Sequence, residues 1–135
     1  MAKETLADIV AAHGLWLRGE AGGSRAKLDH TIIAGRDLRG WNLRDASMRE
    51  TDLSGCDLSG ADLSHASLCG ANLRGANLFG ANLTEADLSQ ADLRDCVLDG
   101  ANLSGTDIWR SNLHGAVIDP QTLHNVLCCV MPAGK

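Results

Sequence analysis

A large apolar residue returns at every fifth position from Leu28 to Ile118. Few folds can use that period. On an α-helix, five residues advance about 140° net, so the side chains scatter around the axis. On a strand, a step of five turns each side chain to the opposite face from the last. A solenoid solves the problem. If each unit is a short extended stretch followed by a tight turn, every fifth side chain can point to one axis.

The units around these centres are regular. There are 19 centres: fifteen Leu, three Ile (Ile33, Ile108, Ile118) and Met48. Two residues before the centre stands a small residue, with Arg36 and Trp41 as the exceptions. Strand alternation turns this small residue inward together with the centre. One before the centre, Asp or Asn fills 13 of the 19 positions, and two after it Gly fills ten. Gly there relieves backbone angles that side chains resist. The Asx residues repeat too often to be individual sites, and their reading is solvation and turn hydrogen bonding.

Units such as CDLSG, ANLRG, ANLFG and ADLSQ resemble those of the pentapeptide-repeat family. The resemblance covers residues 26–119. It implies an all-β solenoid, a right-handed quadrilateral parallel β-helix with four units per coil. Residues 20 apart then stack in columns, and 19 units make just under five coils, roughly 24 Å at strand spacing.

The flanks read as short N- and C-terminal α-helical caps, which a solenoid needs to cover its open ends. The expected divisions are 1–25 (helix and linker), 26–119 (repeats) and 120–135 (helix and tail). In the first, apolar residues at 6, 9, 10, 16 and 17 have helical spacing, with His13 on the same stripe as a packed histidine. Thr5 and Asp8 form a capping-box pattern, and Gly19 to Gly23 stop the helix. Trp41 is expected against Leu6, Ile9, Val10 and Leu17, with Trp41 and Trp16 both largely buried. In the last, Asp119 caps and Pro120 opens a helix whose Leu123, Val126, Leu127 and Val130 line one face over the final coil.

The chemistry-bearing residues point away from catalysis. The five His, at 13, 30, 65, 114 and 124, form no spaced metal motif. Cys56 and Cys96 occupy the small inward position two coils apart, about 10 Å by strand spacing, beyond disulfide reach. Cys69 should face outward, and Cys128 should lie off its helix's apolar stripe. No catalytic residue, metal or cofactor is expected. The start MAKETLADIV lacks the pattern of a secretory signal, and no apolar run approaches a membrane span, so a cytoplasmic protein without membrane insertion is expected.

Two functions remain. The first is a non-catalytic structural or protein-interaction module whose partner is unidentified. Phe79, Val97 and Val117 are its candidate interface: all three are apolar departures at outward positions of one face, and a homodimer is its simplest form. The second follows from the resemblance, since some family members mimic a DNA rod, bind DNA gyrase and give fluoroquinolone resistance. Residues 26–120 carry eight Lys or Arg against 14 Asp or Glu, a net charge of −6, so direct nucleic-acid binding is not expected. The face centred on Leu38, Leu58, Leu78, Leu98 and Ile118 is the most acidic, with Asp37, Asp57, Asp99 and Asp119 against Arg39. The other faces interleave Arg44, Arg49, Arg74 and Arg94 with their acids.

Overall fold

The computed structural model describes residues 4–128, with side chains through Val126. Every fifth residue from Lys27 onward makes a parallel bridge to the residue 20 positions later, ending at Val97–Val117. Bridges every five residues at an offset of 20 give each coil four walls. The third wall carries Leu38, Leu58, Leu78, Leu98 and Ile118. The bridges are isolated pairs rather than continuous strands, because each turn consumes two residues of every five.

The amides of one unit show why the composition repeats. In unit 91–95, Asp92 N–H donates back to Ala71 O (2.9 Å), while Leu93 and Asp95 N–H donate forward to Asn112 O (2.8 Å) and His114 O (3.1 Å). Ala91 N–H closes the preceding turn on Leu88 O at 3.0 Å. Arg94 N–H, the one donor that the coils leave over, is accepted by Asp92 Oδ1 at 3.1 Å. The Asx residue therefore completes the donor account of its unit. The residue after each of these turn amides has positive φ, at Gly75 (70°) and at Asp95 (61°) alike. Such a conformation favours Gly and tolerates Asp, His or Gln at a cost.

The centres from Leu38 to Leu93 are fully buried, and the Ala residues between them seal the layers. Polar residues at the small position bond inward. Thr51 and Thr106 hydroxyls donate to Leu28 O (2.8 Å) and Leu83 O (2.7 Å). The Cys56 and Cys96 thiols donate to Ile33 O (3.0 Å) and Leu73 O (2.7 Å). Cys therefore does more than replace Ala. Both thiols are free, as is the half-buried Cys69. Burial raises the Cys56 pKa and pushes that of Cys96 up to about 12, so neither is a ready nucleophile.

Helix α1, Leu6–Leu17, starts on the expected capping box: Thr5 Oγ1 accepts from Asp8 N–H and Asp8 Oδ2 accepts from Thr5 N–H, each at 3.1 Å. Leu6, Ile9 and Val10 pack on the core, as does a half-buried Trp41. Trp41 belongs to the first coil, where the small-residue rule relaxes because no coil lies beneath. His13 is fully buried. Its Nδ1 accepts from Ala26 N–H at 2.9 Å, which fixes Nε2–H as the donor to Arg44 O at 2.6 Å. The expectation that Trp16 is buried fails. It stacks on His13 (ring centroids 5.6 Å apart), and with only that face covered it stays 40% exposed. Its other surroundings are a polar groove shared with Arg18, Arg44 and Asp45.

Helix α2, Pro120–Cys128, is capped by Asp119, whose carboxylate accepts from Thr122 N–H at 3.1 Å and from Gly100 N–H at 2.8 Å. Val126 is buried, but Leu123 is 41% exposed. Among the described residues, an apolar cavity of about 170 Å³ lies beside the helix, lined by Leu103, Ile108, Leu113, Ile118 and Leu123. The Leu127 and Cys128 side chains, Cys129, Val130 and the tail 131–135 lie outside the described residues. Among those described, no helix is long and apolar enough to cross a membrane, and no cluster of His, Cys, Asp or Glu could hold a metal.

Candidate protein-interaction surface

Phe79, Val97 and Val117 all stand on the third wall. Val97 bridges both Asn77 and Val117, so Val97 and Val117 are direct neighbours on successive coils. Phe79 lies two residues beyond Asn77, one coil earlier, where its amide donates to Asn77 Oδ1 at 3.0 Å. The strip is therefore a pair with Phe79 set diagonally in the next column, narrower than a single file of three. Phe79 is 58% exposed, Val117 is 53% exposed and Val97 is half-buried.

The same column was expected to be polar, and elsewhere it is. Asp57 Oδ1 accepts from Ser59 N–H (3.1 Å) and Oγ (2.7 Å), and Asp37 Oδ1 from Arg39 N–H (3.2 Å). The Arg39 side chain also grips Asp37, and these bonds hold the Asp37 pKa down at about 2. Val97 has no acceptor to offer. Among the described residues, the Asp99 amide meets no acceptor, and Asp99 Oδ1 is buried without a hydrogen-bond partner. Sequence reasoning counted Asp99 only as one acid of an acidic face. The signal that could have found it is the missing Asx at position 97.

Two of the other walls pair some of their acids with arginines. Arg94 pairs with Asp92 at 2.7 Å, Arg44 with Asp45 at 3.6 Å and Arg74 with Asp95 at 3.8 Å. Exposed apolar residues elsewhere sit near the ends: Ile32 in the first coil, and Trp109, under the Arg110 guanidinium, in the last.

The family model of pentapeptide repeats matches residues 24–60, 56–95 and 81–118. The chain belongs to the pentapeptide-repeat family. Solved pentapeptide-repeat proteins are similar to it. HetL, from the cyanobacterium Nostoc sp. strain PCC 7120 and involved in heterocyst differentiation regulation, is 32% identical, with a TM-score of 0.62. That match covers 70% of this chain and 48% of HetL, so the chain spans about half the length of that relative. A pentapeptide-repeat protein of the Arabidopsis thaliana thylakoid lumen is 33% identical, over 67% of this chain and 55% of that one, with a TM-score of 0.46. QnrB1, a plasmid-mediated fluoroquinolone resistance protein, is 22% identical over 80% of this chain and 69% of its own, with a TM-score of 0.31. No curated protein matches the sequence.

Proposed function

We propose that this pentapeptide-repeat chain is a non-catalytic, cytoplasmic protein-interaction module. In this reading residues 26–119 form a right-handed quadrilateral β-helix, residues 1–25 and 120–135 close its ends, and the third wall carries the binding face. The carrying observation is Val97 bridged to Val117 beside an exposed Phe79, on a surface that is otherwise polar. Clustered apolar side chains on a polar surface suit protein contact. The free thiols of Cys56, Cys69 and Cys96 suit a reducing compartment.

The test uses a variant that removes the strip without harming the fold: Phe79→Ser, Val97→Asn, Val117→Asn. Asn is the ordinary residue of that column. Capture from host extract should retain at least one protein on wild type that the folded variant loses. Identical captured sets would refute the binding face. Removal of residues 1–24 should expose the first coil and cause association; a truncated chain that stays monomeric and equally stable would refute the N-terminal cap.

A DNA mimic presents long acidic stripes. Here Arg39, Arg44, Arg74 and Arg94 pair with acids on three walls, which breaks such stripes. The gyrase reading is accordingly the weaker one, and inhibition of gyrase supercoiling by the purified protein would restore it.

A further inference from the structure

We infer that the partner of the third wall is a protein segment carrying a Lys or Arg side chain flanked by apolar residues, with Asp99 as the cation's seat. This rests on the binding face proposed above and names what it binds. Three observations converge on Asp99. It stands between Phe79 and Asp119 in the column of turn residues, two positions after Val97. Its Oδ1 is buried without a hydrogen-bond partner. Among the described residues, no Lys, Arg or His pairs with it.

The physical consequence is a carboxylate that has lost part of its hydration and gained nothing in return. A carboxylate with one oxygen enclosed and unpartnered is unfavourable, and a cation brought to its other oxygen restores part of the lost interaction. Part of the desolvation that an interfacial ion pair ordinarily incurs on binding has therefore been incurred on folding, at one of the two oxygens of a half-buried carboxylate. The surroundings select the rest of the partner. Phe79, Val97 and Val117 offer apolar contact on the sides of the carboxylate, and the third wall supplies no basic residue after Arg39. The neighbouring acid, Asp119, is committed to Gly100 and Thr122.

Charge also decides against a second copy as the occupant. Two-fold pairing centred on the apolar strip brings Asp99 and Asp119 of each copy toward the same acids of the other, while the wall's cations, Arg36 and Arg39, lie at its N-terminal end. Like charges opposed across an interface oppose association.

The test is selection of a displayed library of random dodecapeptides on the folded wild-type protein. The inference expects recovered sequences rich in Arg or Lys beside Leu, Ile, Val or Phe. Their binding should weaken about tenfold in Asp99→Asn, the loss of one charge-assisted hydrogen bond. It should weaken further with added salt and disappear in the Phe79→Ser, Val97→Asn, Val117→Asn variant. Both variants must melt at or near the wild-type temperature, which the surface positions of the changes allow. Peptides that need the apolar strip but are acidic or uncharged, and that ignore Asp99→Asn, overturn this inference and leave the binding face standing. If recovered peptides ignore the strip variant, or none is recovered, the binding face itself fails. A wild-type dimer in sedimentation that the strip variant dissolves puts a second copy on the wall, and also overturns the inference.

Discussion

His13 joins α1 to the first and last units of the first coil, and His13→Phe isolates what that join contributes. Phe keeps the ring and its stacking on Trp16 but loses both ring nitrogens. Ala26 N–H and Arg44 O then lose partners now at 2.9 and 2.6 Å. A buried group left unpaired costs about 1–3 kcal/mol. Ala26 is 1% exposed and has no water to turn to, whereas the Arg44 carbonyl lies nearer the surface. The expected total is about 3 kcal/mol, falling on the docking of α1 rather than on the stacked coils, whose own hydrogen bonds are untouched. Hydrogen exchange is the assay. Protection of the α1 amides and of Ala26 should drop roughly a hundredfold, while amides of the middle coils such as Leu73 and Leu78 keep theirs. Unchanged protection at Ala26 in a folded variant would refute the reasoning. A uniform drop across all coils would instead show that helix and coils open as one unit.

Leu78→Asp puts an unpaired charge where a fully buried Leu now stands; a loss above about 5 kcal/mol is expected, enough to abolish the cooperative melt, and an unchanged melting curve would show that the centres do not point inward. Gly23 lies against the backbone of α1, where an added Cβ would meet Leu15 C at 2.7 Å and press closer still on Trp16 N. Gly23→Ala should therefore cost about 1–3 kcal/mol in a urea melt followed by tryptophan fluorescence, and a midpoint equal to wild type would contradict the close approach. The Asp119 pKa is lowered from 3.8 to about 2 by the Thr122 hydroxyl, then by the Gly100 and Thr122 amides. A pKa depressed by folding gives stability that is full above the unfolded value and lost as pH falls through the folded one. The α2 amides should keep their NMR shifts at pH 5 and move in a transition centred near pH 2, whereas Asp119→Asn should show no such transition.

Much of the fold is legible because each unit repeats one solution to one problem. The centres and the small residue before them follow from period five, and the 20-residue register from the four units per coil that the family resemblance implies. The Thr5–Asp8 box, the Asp119 cap and the packed His13 are local signals and stand as read. The failures occur where neighbours decide. Trp16 shares the helical stripe, but His13 takes the buried place beneath it and leaves the indole at the rim. Helix α2 has an apolar stripe, yet of its described members Val126 is buried while Leu123 stays partly exposed. Cys56 and Cys96 look like plain substitutes for Ala, because sequence does not reveal a carbonyl waiting one coil away. At the candidate surface, the three apolar residues could be assigned to one wall from spacing alone. The orphaned Asp99 could not, since its state depends on what Val97 fails to supply.

Val97 is the departure that the fold itself does not require. Val117 replaces an Asx residue too, but the amide two positions on belongs to Asp119, where the repeat is already giving way to the N-cap of α2. Val97 sits inside the stack, bridged on both sides, and its cost is an amide without an acceptor. Val97→Asn should repair that cost. At the equivalent place one coil earlier, Asn77 accepts from the Phe79 amide at 3.0 Å, so the geometry for the repaired bond exists in this wall. One such bond contributes about 1 kcal/mol, against the loss of partial apolar contact by a half-buried Val. The variant should melt at or above the wild-type temperature and bind more weakly to whatever the third wall engages. A stabilising change that erodes binding is the pattern of a residue kept for function at the expense of stability. Destabilisation by more than about 1 kcal/mol would refute this and make Val97 a packing residue of the coil stack.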